Sequence, residues 1–181
     1  MIALAAQDLA KNLLGGVTII IDKPFKIGDF IETEKFSGVV EDITFRSTRI
    51  RNLENSQIII PNSNLVDSAV KNWSNLESRR FSTDLVIELE TNLEKVKSLI
   101  NELKFSLEKN NFIIKDSVNV TFSQIKGDGI NLFVYAYLKA TSYVEFLELS
   151  EKMNMQIMEI LEKEEVKLAY KTETIYLKNN I

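Results

Sequence analysis

A chain of 181 residues is long enough for one large or two small domains, and 45% hydrophobic with 27% charged side chains marks a globular, folding sequence. It has no cysteine and no histidine, which excludes thiolate and imidazole catalysis, Ser-His-Asp and Cys-His arrangements, and zinc sites built on those ligands. The formal charge of −4 divides into ten basic and ten acidic residues over 1–80 and twelve basic and sixteen acidic over 81–181. That balance argues against a protein built to grip nucleic acid, whose non-specific affinity comes from an excess of Lys and Arg.

No run reaches the roughly 18 to 20 apolar residues that a membrane-crossing helix needs. Met1 to Ile21 comes nearest and is interrupted by Asp8, Lys11 and Asn12. It lacks the basic leader and cleavage-type ending of a signal peptide, and its abrupt start inside an apolar helix reads as a truncation. Ile2 to about Leu14 is predicted helical and is rich in small side chains (Ala3, Ala5, Ala6, Ala10), with Gly15-Gly16 as a stop or kink. Small side chains let helices approach closely, so this segment is either a self-associating helix or a surface helix of its own domain.

From Asp29 the pattern turns to short strands: Phe30 to Thr33, Gly38 to Phe45, Ser47 to Leu53, Gln57 to Ile60 and one near Ala69 to Trp73. Five short strands with tight turns predict a small β barrel. Turn signals lie at residues 26–29, 37–38 and 54–56, and Pro61-Asn62-Ser63 halts pairing because proline has no N–H to donate. A polar joint at residues 75–80 then gives way to a β-α-β-β-α-β succession, the ferredoxin-like plan.

In that second part, strand Ser82 to Leu89 leads to a helix opened by a capping box at Thr91 to Glu94, with Leu93, Val96, Ile100, Leu103 and Leu107 as its apolar stripe. Val118 to Lys126 and Ile130 to Lys139 read as a hairpin around Gly127-Asp128-Gly129. A second box at Ser142 to Glu145 opens a helix with Phe146, Met153, Ile157, Ile160 and Leu161 inward, before a last strand near Tyr170 to Leu177. The fold class is therefore mixed α and β: an N-terminal helix over 1–21, a small β domain over 22–76 and an α+β ferredoxin-like domain over 77–181.

Gly15-Gly16 is not a phosphate loop, since no Lys-Ser/Thr follows. The acidic residues show no constellation for acid–base work, so no catalytic, cofactor-binding or metal-binding residue is assigned, and the chain is read as a non-enzyme. Arg49 and Arg51 share one side of a strand with Arg46 just before it, and Arg79-Arg80 sit at the joint. They are candidates for subunit or lipid contacts, against the plainer reading of carboxylate pairs. Trp73 reads as an amphipathic wedge or a core residue.

Several ordered motifs carry a resemblance. AAQDLAKNLLGG (5–16) and DKPFKIGD (22–29), then GVVEDI (38–43), RSTRIR (46–51), IPNS (60–63), NWS (72–74) and Arg79-Arg80, resemble the small-conductance mechanosensitive (MscS) channel family, from the end of its pore-lining helix through its Sm-like β domain. Beyond residue 80 the likeness is one of βαββαβ pattern. The resemblance implies a homoheptamer in the inner membrane of a bacterium, this region on the cytoplasmic side, joined to lipid through membrane helices missing here. It also implies release of ions and small osmolytes under tension during hypo-osmotic shock, without cofactors or nucleic acid, the cage acting as a coarse filter.

By that alignment Leu4 matches a sealing position of the pore, Asn12 faces the β domain and Gly16 is the helix kink. Asp8 departs from the small residue usual there. Seven helices close round a pore only if their facing side chains are small, and apolar rings block ions by dewetting. An acidic second domain is expected to bias ion traffic. The rival readings are an Sm-like RNA-binding ring, which would bind RNA in a salt-sensitive way, and a metabolite-sensing domain suggested by fold analogy alone.

Overall fold

Alternation of apolar and polar side chains puts every second residue of a strand on one face, and this builds the first half of the protein. The computed structural model describes residues 2–170, with side chains from residue 7 onward. The chain divides into two units, Met1–Leu76 and Glu77–Ile181. The first begins with helix α1 (Ile2–Asp22), followed by β1 (Phe30–Glu32), β2 (Ser37–Ile43), β3 (Ser47–Arg51), β4 (Gln57–Pro61), a short helix α2 (Asn62–Val66) and β5 (Lys71–Asn72). The strands form one antiparallel sheet in the order β4-β3-β2-β1-β5.

In β3, Thr48 and Ile50 are buried while Arg49 and Arg51 face outward. The core gathers Ile31, Val40, Ile50 and Ile60 from the strands, Phe25 from the connection, Leu65 from α2 and Ile19 from α1. The predicted stop at Gly15-Gly16 does not occur, because α1 continues unbroken to Asp22. Glycine in a helix costs about 1 kcal/mol each relative to alanine, and the run Val17 to Ile21 is β-branched. Burial of Ile19 in the sheet core outweighs both. Lys23, at φ +48°, then ends the helix, its N–H donating to the Ile19 carbonyl at 3.1 Å.

The second unit comprises β6 (Arg79–Ile87), α3 (Leu93–Glu108), β7 (Asn119–Ile125), β8 (Ile130–Leu138) and α4 (Tyr143–Lys163). Its antiparallel sheet has the order β6-β8-β7. An antiparallel bridge from Leu168 to Ile87, with Ala169 N–H donating to the Val86 carbonyl at 2.8 Å, occupies the other edge of β6. The last strand expected near Tyr170 to Leu177 lies, from residue 171, outside the described residues.

Capping fixes both helix starts. Ser142 Oγ accepts from Glu145 N–H at 3.1 Å, and the Glu145 carboxylate accepts from Thr141 N–H at 3.0 Å. In α3 the cap is Asn92, whose Oδ1 accepts from Glu94 N–H at 3.0 Å, one residue later than the expected Thr91. The shift turns Leu93 out to 58% exposure and leaves Val96, Leu99, Leu103 and Leu107 as the buried stripe. α4 buries Leu149, Met153, Ile157, Ile160 and Leu161, and Phe146 packs at the core's margin.

Polar ties join the two helices along their exposed flank. Asn110 Nδ2 donates to Gln156 Oε1 at 2.8 Å, and Lys163 Nζ lies 2.8 Å from Glu102 Oε1. The Lys163 hydrogen bond holds the Glu102 carboxyl below its ordinary range despite partial desolvation. A carboxyl depressed in the folded state contributes stability at pH values above its unfolded pKa, roughly 4.3, and that contribution is lost as pH falls through the folded value. Glu102→Gln is therefore expected to lower the urea midpoint at pH 7 and to leave it nearly unchanged at pH 3. An equal shift at both pH values would show that the ion pair contributes nothing.

Candidate functional site at the helix–sheet junction

Helix α2 starts at a disadvantage. The first four N–H groups of a helix lack partners within it, and an N-cap side chain normally accepts from one of them. Here the N-cap is Pro61, which makes no side-chain cap. The missing acceptor comes from α1: Asn12 Oδ1 accepts from Ser63 N–H at 3.1 Å and from Ser63 Oγ–H at 2.9 Å. The Asn12 amide nitrogen donates back to the Asp8 carbonyl at 2.9 Å, which orients the group.

Such reach demands that the two backbones nearly touch. A Cβ on Gly15 would lie 3.0 Å from the Asn62 carbonyl carbon, and one on Gly16 would lie 2.4 Å from the Phe45 carbonyl oxygen. Among the described side chains of α1, Asn12, Gly15, Gly16 and Ile19 are the positions turned to the sheet, at the i, i+3, i+4, i+7 spacing of a single helical face. Opposite them Asn62, fully buried, accepts from Thr48 Oγ1 at 2.9 Å and donates to the Thr44 carbonyl at 2.9 Å, while its own N–H donates to the Arg46 carbonyl at 3.0 Å. One asparagine thus pins the β2–β3 turn, strand β3 and the start of α2.

The other apolar positions of α1 from residue 7 onward, leaving aside the small Ala10, are turned away. Leu9, Leu13, Leu14, Val17, Ile20 and Ile21 are all exposed, an apolar surface of a kind that marks an interaction site. Leu4 lies on the same helix, but its side chain falls outside the described residues. Among the described residues no helix is long and apolar enough to cross a membrane.

The arginines divide between the units. Arg49 pairs with Asp42 at 3.6 Å, and Arg51 pairs with Glu41 while donating to the Asn55 carbonyl at 2.9 Å. The Arg51 hydrogen bond, with help from Gln57, holds Glu41 below the ordinary carboxylate range. Arg46 is exposed on the turn beside Phe45. In the second unit Arg79 reaches the Thr141 carbonyl at 3.5 Å and lies 6.0 Å from the Tyr143 ring, while Arg80 lies over Tyr135. Trp73 is half-buried and donates from Nε1 to Glu32 at 2.6 Å.

The resemblance singles out Asn12 and Gly16 as expectations, while the sequence reading takes Asn62 and Ser63 only as a strand stop and misses the short α2. A proline followed by two hydrogen-bonding residues is a legible helix start, and that signal was available.

The family model "Mechanosensitive ion channel, beta-domain" matches residues 8–75, the stretch that contains the whole junction. Over 176 residues the chain is 36% identical to an uncharacterized MscS family protein, YhdY, of Bacillus subtilis, covering 97% of this chain and 47% of that protein. It belongs to the MscS family. Another MscS relative, the small-conductance mechanosensitive channel MscMJ of Methanocaldococcus jannaschii, is 34% identical, with 99% of this chain and 51% of that protein covered.

Among solved structures, Helicobacter pylori MscS in its closed state matches with a TM-score of 0.80 at 22% identity, covering 99% of this chain and 69% of that one. Arabidopsis thaliana MSL1 A320V matches at 0.86 and 22% identity, covering 94% and 64%; these two share the fold. This MscS chain spans about half the length of the relatives it matches in sequence. Those relatives are bacterial and archaeal, and one of the matching folds is from a plant, so kinship alone does not single out a bacterial source.

Two substitutions test the junction. Gly16→Ala raises helix propensity by about 1 kcal/mol, yet the clash with the Phe45 carbonyl is expected to reverse the sign and destabilise the protein by about 1 to 3 kcal/mol in urea titration. Asn12→Ala leaves the Ser63 N–H without its acceptor, at a cost of about 1 to 3 kcal/mol. Its signature is faster amide hydrogen exchange at Ser63 than at residues of β3.

Proposed function

We propose that this chain is the cytoplasmic, membrane-proximal region of a mechanosensitive channel subunit, acting in a homoheptamer that releases ions and small osmolytes when membrane tension rises in hypo-osmotic shock. The observation that carries the reading is the junction: a helix with an apolar flank, fixed to a β domain through Asn12 and two glycines. In this reading residues 1–21 are the end of the pore-lining helix, with Leu4 at the seal. Residues 22–76 form the Sm-like domain that anchors the helix, and 77–181 the wall of the cage. The membrane is the bacterial inner membrane, reached through helices that precede this region.

Mechanically, a gating helix needs a fixed end to move against. Asn12 and Gly16 supply it, because their contacts have short range and one geometry: a small displacement of α1 breaks both hydrogen bonds to Ser63 at once. The exposed flank of α1, together with Arg46, then faces neighbouring subunits or lipid. Flow needs no catalytic group, which accords with a sequence that has neither cysteine nor histidine.

Light scattering or sedimentation of the purified chain across a range of concentrations tests assembly. A discrete species of about seven copies is expected. A strict monomer at all concentrations would remove the role given to the α1 flank and would move assembly to the membrane helices.

A further inference from the structure

Among the described residues, Arg80 on the outward face of the second unit's sheet has a charge that no carboxylate neutralises. Across β6 and β8 the register sets Arg80 opposite Tyr137, Ser82 opposite Tyr135 and Asp84 opposite Phe133. These residues alternate with Phe81, Leu85, Leu132, Val134 and Ala136 of the core and so share the face away from it. The Arg80 guanidinium lies 4.8 Å from the Tyr135 ring centroid and 5.8 Å from that of Phe133, and the two rings are 5.7 Å apart.

Among the described residues Arg80 has no carboxylate partner and no hydrogen bond from its side chain, unlike Arg49 and Arg51. Stacking on rings holds a guanidinium in place by cation–π attraction without using its donors. Its N–H groups lie in the guanidinium plane, in a fork that matches a carboxylate. The long side chain is thus already positioned, so a ligand need not bear the full entropy of ordering it.

We propose that Arg80, held on the Tyr135 and Phe133 rings, is a weak binding site for a small monocarboxylate anion. The carboxylate takes an edge of the fork, with two parallel N–H···O bonds, and its carbon substituent rests on exposed ring surface. Ser82 and Tyr137 place hydroxyls on the same face. Asp84 selects against higher charge: it is the one carboxylate among the outward residues of these three strands, and it is held in place by the Asn131 amide, which donates to it at 2.7 Å. A dianionic phosphate meets that charge at a greater disadvantage than a monocarboxylate does. With one exposed cation the affinity is expected near millimolar, weak enough for ions to leave again along a pathway. Only that last connection rests on the channel reading; the binding does not.

The test is saturation-transfer NMR of sodium acetate with the whole chain, at ionic strength held constant with sodium chloride. The expected result is a transfer signal that saturates with acetate in the millimolar range. It should be lost in Arg80→Gln, weakened at least ~5-fold in Arg80→Lys, which keeps the charge but not the planar fork, and unchanged in Lys104→Gln, which removes an exposed cation from α3. Sodium phosphate should compete more weakly than unlabelled formate at equal concentration. The assignment is overturned if the signal persists in Arg80→Gln or falls equally in Lys104→Gln. Competition by phosphate as strong as by formate overturns it too, since that is general attraction to positive charge. Should Arg80→Gln fail to fold, the Arg80→Lys comparison and the competition series decide the matter by the same criteria.

Discussion

The near-contact of two backbones, α1 at Gly15-Gly16 against α2 and the β2–β3 turn, is the constraint on which the first unit depends. It lets Asn12 reach Ser63, and it brings Ile19 over the sheet. It also compels the β2–β3 turn to present its Phe45 carbonyl edge-on to the helix. Each of these would be lost if α1 stood off by the width of a methyl group. Close packing of this kind has two arrangements, engaged or separated, with little between.

The second unit is held in another way. Its helices share a continuous apolar core with the sheet, and their exposed flanks are joined by polar ties whose loss is graded. The two units also treat arginine differently. On the β domain Arg49 and Arg51 are neutralised by Asp42 and Glu41 of the neighbouring strand, so that sheet presents paired charges. On the second sheet aromatic rings lie under Arg80, and among the described residues its charge has no carboxylate partner.

Much of this was legible in the sequence where the physics is local. Strands β1 to β4 and β6 to β8 follow from alternation and turn residues, and Ser142 with Glu145 marks the start of α4. Tertiary forces decided the rest. Gly15-Gly16 looks like a helix end by propensity, and only the groove formed by Phe45, Asn62 and Ser63, far along the chain, turns it into a packing surface. The α3 stripe shifted because Thr91 and Asn92 are both competent caps, and adjacent competent caps cannot be ranked from sequence. The role of Asn62 was hidden because its partners, Thr44 and Arg46 of the β2–β3 turn and Thr48 of β3, lie 14 to 18 residues earlier in the chain. The family resemblance leads one to expect mechanical roles at Asn12 and Gly16; what the structure shows there is an acceptor for a helix that starts on proline and a close backbone approach.

The bond from Asn12 to Ser63 spans 51 residues of chain, and this has a consequence for biosynthesis. At roughly 5 to 20 residues per second, α1 leaves the ribosome about 3 to 10 s before α2 exists to receive it. Through that interval Ile19 is bare along with six apolar residues that stay exposed afterwards, so the nascent helix shows a broad apolar surface beside its polar stripe of Gln7, Lys11, Thr18 and Asp22. A nearby bilayer or a chaperone is the natural shelter for such a segment. The order of the sequence, helix first and sheet afterwards, therefore makes the newborn chain most adhesive at the end nearest any preceding membrane segment.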